Sequence, residues 1–170
     1  MLPPKRPSGT RFVADAMLGS LARKLRAFGF DTSYFREGND ADLLALARSE
    51  ERVLLTSDRS LAELARARAV PVLTITGSKE GARILSLRRA AIAGGVGLQR
   101  GPPMCSVCNG SLVALGRAEA AGHVPLSVTK RHRLFFRCEV CGRYYWRGAH
   151  WKKLRWLERR LGEKSHGTFS

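Results

Sequence analysis

Residues 11–92 alternate predicted strands with amphipathic segments, and this alternation constrains the fold more than any other feature of the chain. The predicted strands are 12–14, 32–35, 53–56 and 70–75. The helical spacing of apolar residues predicts helices over 16–28, 41–48, 61–69 and 79–92. Strands that alternate with helices pair in parallel through right-handed crossovers. The sequence therefore predicts an α/β fold in which helices flank a parallel sheet.

The alternation stops at a segment rich in glycine and proline that ends at Pro103. We therefore divide the chain into a flexible basic tail, an α/β domain, a small cysteine-containing module, and a basic helix with its tail. These segments are 1–10, 11–103, 104–150 and 151–170. In the last segment, Leu154, Leu157 and Leu161 share one face of a helix predicted from residue 151 to 161.

The charge is strongly basic, with 30 Lys and Arg against 14 Asp and Glu, for a net charge of +16. Nucleic acid is the first partner to expect, because neutralising its phosphates releases bound counterions. A basic surface kept for solubility and an anionic membrane partner are the alternatives. The sequence has no apolar run long enough to span a bilayer, and the first ten residues lack the apolar centre of a secretory signal. We therefore expect a soluble, cytoplasmic protein with no membrane partner.

All four cysteines lie in two CxxC pairs within the cysteine-containing module, and 29 residues separate the pairs. They are Cys105, Cys108, Cys138 and Cys141. Each pair is followed by Gly or Asn-Gly, which favours the tight turns that wrap a tetrahedral ion. The pattern predicts a structural zinc site with no position open for chemistry, with iron in a rubredoxin-like site as the alternative. We expect a few short strands between the pairs.

Three aspartates are predicted at comparable positions of the sheet. Asp15 and Asp58 follow the first and third strands, and Asp40 lies beyond the second strand, where a helix begins. The carboxyl ends of parallel strands share one edge, and carboxylates gathered there suit Mg²⁺ or Mn²⁺. Asp42 is an auxiliary candidate ligand. Helix capping is the alternative role for Asp15 and Asp40, whereas a capping box at 60–63 is expected to leave Asp58 without that duty.

Cations alternate with aromatic residues in the second half of the chain, a composition that favours RNA. Trp156 lies on the basic face of the last predicted helix, where its indole is a candidate platform for an unstacked base. Packing of this tryptophan against the cysteine-containing module is the alternative. The predicted RNA contacts are Arg23, Lys24, Lys130, Arg131, Arg143, Arg147, Lys152, Lys153, Trp156, Arg159 and Arg160.

Four segments together carry a family resemblance: DAMLGSLARKLRAFGFDT, NDADLLALARSEERVLLTSD, CSVCNGSL and FFRCEVCGRYYWRGAHW. In this order they resemble the Mut7-C family, a PIN-like ribonuclease domain followed by a zinc ribbon, over about residues 11–155. The resemblance implies a metal-dependent endoribonuclease whose acidic residues bind Mg²⁺ or Mn²⁺. By position, Asp15 is the acid after the first strand, Asp40 the acid that opens the helix before the third strand, and Asp58 the acid of the T-x-D segment.

PIN nucleases often have a fourth acid beyond this segment, but Glu63 is assigned to a cap and Glu80 stands in an unrelated context. The sequence contains no P-loop, GxSxG or HExxH motif that would indicate another chemistry. We therefore expect an endoribonuclease acting on RNA, with tRNA and ribosomal RNA as candidate substrates. The alternative is a non-catalytic RNA-binding or ribosome-associated protein that retains the fold. A toxin-like nuclease restrained by a partner is a third hypothesis, although no feature of the sequence requires such a partner.

Overall fold

The computed structural model describes residues 9–148 and 151–162. Its first part contains a four-stranded parallel sheet in the order β2-β1-β3-β4. The strands are β1 (Arg11–Ala14), β2 (Asp31–Tyr34), β3 (Val53–Thr56) and β4 (Val72–Thr74). The predicted α/β fold with a parallel sheet is confirmed.

Helices cover both faces of this sheet because successive side chains of a strand point to opposite sides. Phe12 and Ala14 of β1 pack in one apolar core with α1 and α4, while Val13 packs in a second core with α2 and α3. The helices are α1 (Gly19–Ala27), α2 (Asp40–Ser49), α3 (Arg59–Ala67) and α4 (Glu80–Ala93). The first predicted helix is in fact divided, since Ala16–Leu18 form a separate 3₁₀ turn ahead of α1.

Gly29 ends α1 as the sequence predicts, with a backbone φ of 91° that favours glycine. The chain returns past this point after α4, where the Gly101 amide donates to the Gly29 carbonyl at 2.8 Å. A Cβ atom at residue 29 would stand 2.1 Å from the carbonyl oxygen of Gly101. The close approach of the two backbones therefore requires a glycine here, and it leads the chain directly to the first cysteine pair.

The cysteine-containing module has a three-stranded antiparallel sheet of β5 (Leu112–Gly116), β6 (Leu134–Cys138) and β7 (Tyr144–Trp146). Two short helices, α5 (Arg117–Ala120) and α6 (Leu126–Arg131), lie between β5 and β6. Ala120, Val124 and Phe135 form a small core between these helices and the sheet. The sequence predicted only short strands here, because helices of four and six residues are too short to show a helical period.

The last described helix, α7 (Trp151–Arg160), packs onto α4. Leu157 and Leu161 are buried in the same core as α1 and α4, with Leu154 beside them, which confirms the predicted apolar face. No helix in the described ranges is long and apolar enough to cross a membrane. The predicted basic tail, apart from its last two residues, lies outside the described residues, as do 149–150 and 163–170.

Candidate metal centres and basic surfaces

The four cysteine sulfurs lie within 4.8 Å of one another. The Sγ atoms of Cys105 and Cys141 are 3.6 Å apart, and those of Cys108 and Cys138 are 3.4 Å apart. These separations are too long for disulfides, and all four thiols are free. They are close to the roughly 3.8 Å expected between thiolates bound tetrahedrally at about 2.3 Å from a zinc ion. The predicted four-cysteine cluster is therefore confirmed, and its donor set fits a tetrahedral metal such as zinc.

The backbone of the first cysteine pair explains the Asn-Gly that follows it. The Cys105 amide donates to the Gly110 carbonyl at 2.8 Å, and Asn109 adopts a left-handed φ of 66° to close this turn. A Cβ atom on Gly110 would stand 3.0 Å from the Cys138 sulfur. In the second pair, the Cys141 amide donates to the Cys138 sulfur at 3.4 Å. The tight turns thus bring the two pairs face to face.

Two of the four thiols differ strongly in pKa, because their surroundings and hydrogen bonds differ. Burial opposes ionisation of Cys105, but hydrogen bonds from the Tyr145 hydroxyl and from backbone amides outweigh it and lower its pKa to about 6. Burial and the neighbouring sulfurs raise the pKa of Cys108 to about 12. Burial and the hydrogen bond to Cys105, 2.9 Å long, raise the pKa of Tyr145 to about 12. One thiolate therefore forms readily, and a bound cation would compensate the repulsion between the others.

Arg26 fixes the first cysteine pair to α1. Its buried guanidinium donates from Nη1 to the carbonyls of Ser106 and Val107 at 3.1 and 2.8 Å, and from Nε to the Thr32 carbonyl at 2.7 Å. Burial lowers the pKa of Arg26, and the nearby Cys105 opposes that shift. The sequence did not predict this role, because nothing in it separates one buried arginine from its exposed neighbours on a helix.

A buried ionic network lies at the amino ends of the strands. Asp31 accepts from Arg52 at 2.7 Å, from Arg11 at 3.1 Å and from the side-chain amide of Asn109 at 2.7 Å. Asn109 in turn accepts from the Thr32 amide at 3.1 Å. Burial opposes ionisation of Asp31, but the hydrogen bonds from Arg52 and Asn109 prevail and its pKa is lowered. This network was not predicted, although the sequence contains a signal for it: each of its three charged residues begins or directly precedes a strand.

At the opposite edge of the sheet, Asp15 is held between β1 and β3. It is only 6% exposed, and its Oδ1 accepts from the Met17 amide at 2.9 Å. Its Oδ2 accepts from the Ser57 amide at 3.2 Å and from the Thr56 hydroxyl. The same Thr56 hydroxyl accepts from the Asp58 amide at 2.9 Å. Thr56 therefore bridges the first and third predicted acids, a role that the sequence analysis did not assign to it.

Asp58 and Asp40 are exposed at the starts of two helices. The prediction that Asp58 has no capping duty is wrong: α3 begins at Arg59, and Asp58 Oδ1 accepts from the Leu61 amide at 3.1 Å. Helix α2 is capped by Asn39, whose side chain accepts from the Asp42 amide at 2.9 Å, so Asp40 is not the cap but the first helical residue. Capping is confirmed for Asp15 at its 3₁₀ turn.

The three acids therefore share an edge, because they follow β1, β2 and β3, which are neighbours in the sheet. Their oxygens are not gathered around one point. Across the described ranges, the cysteine cluster is the one group of three or more His, Cys, Asp or Glu ligand atoms within 4.8 Å of one another. Neither candidate for a fourth acid joins them: Glu63 is exposed on α3, and Glu80 pairs with Lys24 at 2.6 Å, which lowers the pKa of Glu80.

A basic surface forms where α1, α4 and α7 meet. Lys24 and Lys153 both pair with Glu80, at 2.6 and 3.4 Å. Trp156 is 43% exposed and lies against Gly81 of α4, with the Arg160 guanidinium 3.8 Å from its ring centre. Arg147 lies over the Trp151 ring at 5.2 Å. The exposed predicted contacts are Arg23, Lys130, Arg131, Arg143, Arg147, Lys152, Lys153, Trp156 and Arg159.

The family model described as the Mut7-C RNAse domain matches residues 10–157, which is most of the 170-residue chain. Neither the curated proteins nor the solved structures gave a match.

Proposed function

The chain belongs to the Mut7-C RNAse domain family, and from that premise we propose that it is a metal-dependent endoribonuclease. The family match supports a ribonuclease or nucleic-acid-related role over nearly the whole described chain. One observation carries the finer proposal: Asp15 is held at the carboxyl edge of the sheet by Thr56, which also bonds the amide of Asp58.

The position of this pair is the place where open parallel sheets bind ligands. The strand order β2-β1-β3-β4 means that the chain leaves β1 in one direction and later crosses to its other side. In open parallel sheets, the loops that follow the two strands at such a switch point diverge, and ligands bind in the crevice between them. Asp15 and Asp58 belong to these two loops, and Asp40 follows the adjacent β2. We place the active site at this crevice.

Asp15, Asp40 and Asp58 would hold one or two Mg²⁺ or Mn²⁺ ions, with Asp42 as an auxiliary ligand. Hard carboxylate oxygens suit these ions. Such an ion supplies an activated water and positive charge for in-line attack on a phosphodiester. Within the protein, Thr56 and the Ser57 amide fix the orientation of Asp15. The amino termini of α2 and α3 point their backbone amides to this edge and attract a phosphate.

A non-catalytic RNA-binding or ribosome-associated role is the second candidate function. Asp15 and Asp58 each use a carboxylate oxygen as a helix or turn cap. The acids at this edge do not form a group of three within 4.8 Å among the described residues. Carboxylates that serve only as caps would leave an RNA-binding protein without a catalytic centre.

An RNA cleavage assay separates the two functions. End-labelled structured RNA, such as a tRNA transcript, is incubated with Mn²⁺ and with wild type, Asp58→Asn or Glu63→Gln. Asparagine caps a helix as well as aspartate does, so Asp58→Asn removes the charge and keeps the cap. Glu63→Gln makes the same change in net charge at an exposed position of α3. We expect cleavage by wild type and Glu63→Gln and loss of cleavage by Asp58→Asn; three equally inert proteins that bind RNA alike would establish the second function.

For the cysteine cluster we propose a structural zinc ion, with iron as the alternative. The four thiolates complete a tetrahedral shell and leave no position for a substrate. Metal analysis of the purified protein should give one zinc per chain, while a visible thiolate-to-iron absorption band would identify iron. We also propose a cytoplasmic location, because cysteines that bind a metal as thiolates stay reduced in a reducing compartment.

RNA is the proposed polymer, with tRNA and ribosomal RNA as candidate substrates. The surface formed by α1, α4 and α7 and the basic residues of the cysteine-containing module would bind its phosphates. Counterion release predicts that log K falls linearly with log salt, with a slope of about −0.9 per phosphate neutralised on a duplex. A slope near zero would contradict phosphate binding by this basic protein.

A further inference from the structure

The cysteine-containing module has a groove beside the metal cluster that none of the roles above uses. Its volume is about 300 Å³, at the lower end of the range of small-molecule sites. The segment around His123 and Pro125, which precedes α6, forms one side. Tyr144, Tyr145 and Trp146 of β7 form the other, together with Arg143.

The walls of the groove are aromatic and already arranged for stacking. The rings of His123 and Tyr144 lie parallel, with centroids 5.0 Å apart and planes inclined by 9°. His123 is exposed, and Trp146 is 37% exposed. The partly exposed indole of Trp146, beside the stacked His123–Tyr144 pair, can stack with a further planar ring. Bases of single-stranded RNA bind to protein surfaces in this way, by stacking on aromatic side chains.

The positive charge around the groove favours an anionic polymer as its ligand over a neutral aromatic molecule. Residues 104–148 contain seven Lys and Arg against two Glu, which leaves a net charge of +5. Arg143 is exposed and lines the groove itself. Lys130 and Arg131 are exposed at the end of α6, whose Val128 packs in the same small core as Tyr144. A phosphate chain would thus find cations at the groove and on the adjacent helix.

We propose that this groove binds one unpaired base of RNA, stacked on Trp146 and the His123–Tyr144 pair, while Arg143 binds a neighbouring phosphate. The proposal rests on the proposed function in that RNA is the polymer. It adds that the module selects a single-stranded segment, because the faces of a base in a duplex are covered by its neighbours. Tyr145 has another task, since its hydroxyl bonds Cys105.

Binding of defined RNAs tests the groove separately from cleavage. Fluorescence anisotropy, without added Mg²⁺ or Mn²⁺, compares a labelled 12-nucleotide single strand, an abasic strand of equal length, and a duplex. We expect the single strand to bind best, because the abasic strand has the phosphates but no rings. Trp146→Ala should weaken binding of the single strand on the order of tenfold and leave the abasic strand unaffected. Trp146→Phe should restore most of the affinity, and Arg143→Ala should weaken binding of both strands.

Two controls protect this test against a folding defect. Val140→Ala truncates a side chain that is 73% exposed on the same module, away from the lining of the groove, and should bind as wild type does. Metal content and melting temperature should be unchanged in every variant. Quenching of tryptophan fluorescence by the single strand gives a second readout, which Trp146→Phe should diminish although the other two of the three tryptophans remain.

The outcomes also separate the groove from the proposed function. Wild-type affinity in Trp146→Ala, or equal affinity of wild type for the single strand, the abasic strand and the duplex, would overturn the groove proposal and leave cleavage at the carboxyl edge intact. Absence of binding by wild type to every RNA would remove both proposals. Cleavage lost in Asp58→Asn, with binding of the single strand retained, would support both.

Discussion

Both edges of the parallel sheet carry aspartate carboxylates, but the groups that surround these carboxylates differ. At the amino edge, Asp31 is enclosed by Arg11, Arg52 and Asn109, and its charge is compensated within the protein. At the carboxyl edge, Asp15 receives hydrogen bonds from neutral groups only, and no ion pair with a described residue involves Asp15, Asp40 or Asp58.

This difference separates a structural use of charge from the functional use that we propose. A buried carboxylate that has cationic partners needs no ligand, and mutation of one partner leaves the others unpaired. Carboxylates that have no cationic partner repel one another and attract a cation from solution. The amino edge is also joined to the cysteine cluster through Asn109, whereas the carboxyl edge has its own bridge, Thr56. The four predictions below test whether the two edges are independent, in order of decreasing effect.

Loss of the cysteine metal should have the largest effect and should reach only the amino edge. Cys108→Ser removes one of four ligands, and we expect bound zinc to fall from one per chain to near zero and the module to unfold. Hydrogen exchange should accelerate at the Thr32 amide, which Asn109 holds, and should stay slow at the Asp58 amide, which Thr56 holds. Ser111→Ala, at an exposed position of the same module, is the control. Equal acceleration at both amides would show that the edges are coupled.

Removal of the central acid of the amino edge should cost stability without affecting chemistry. Asp31→Ala removes the buried carboxylate that pairs with Arg52 and leaves it the more exposed Glu50, at 2.6 Å, so we expect a loss of up to the roughly 3–5 kcal/mol typical of breaking a buried pair. Urea denaturation measures that loss, and the rate of RNA cleavage per folded molecule should stay within about twofold of wild type. Asp15→Asn at the other edge is the matched variant: cleavage should be lost while stability changes far less. A variant of Asp31 that folds normally but cannot cleave would break the comparison.

The Thr56 bridge should matter for activity as well as for stability. Thr56→Val keeps the shape of a fully buried side chain but removes the hydroxyl between Asp15 and Asp58. Loss of a group that orients a metal ligand typically reduces metal affinity or activity about 10–100-fold. The Asp15 carboxylate and the Asp58 amide would also lose a hydrogen-bond partner, which should lower the free energy of unfolding by about 1–3 kcal/mol. Thr56→Ser, which retains the hydroxyl, should recover most of the cleavage rate. If both variants cleave equally fast, Thr56 only supports the turn.

The strand-to-helix alternation and the CxxC spacing predicted most of the fold because both are local patterns. Four strands, four long helices and the cysteine cluster follow from them. The buried contacts of Arg26 and Asn109 did not follow, since each joins segments about 80 residues apart and neither residue type predicts burial.

At the carboxyl edge, the sequence predicted which loops meet, but the ends of helices decided the orientation of each acid. Residue Asn39 rather than Asp40 caps α2, and Asp58 rather than Ser60 caps α3, because a shift of one or two residues at a helix start changes which side chain faces the free amides.

The smallest effect is expected in the pH dependence of stability, where the difference between wild type and an Asp31 variant reports the amino edge. Because the pKa of Asp31 is lower in the folded protein than its usual value of about 3.9, its contribution is fully present above about pH 4. As the pH falls further, the unfolded chain binds a proton first, so the free energy of unfolding decreases until the folded pKa is passed. The free energy of unfolding, measured by urea denaturation from about pH 5 to pH 2.5, should therefore decline more steeply for wild type than for Asp31→Asn.

Acid also releases the metal from its thiolates, but this loss is common to both proteins, so the difference between their slopes isolates Asp31. Glu63→Gln repeats the change in net charge at an exposed site and should decline as wild type does; equal slopes for wild type and Asp31→Asn would mean that the amino-edge network contributes no pH-dependent stability.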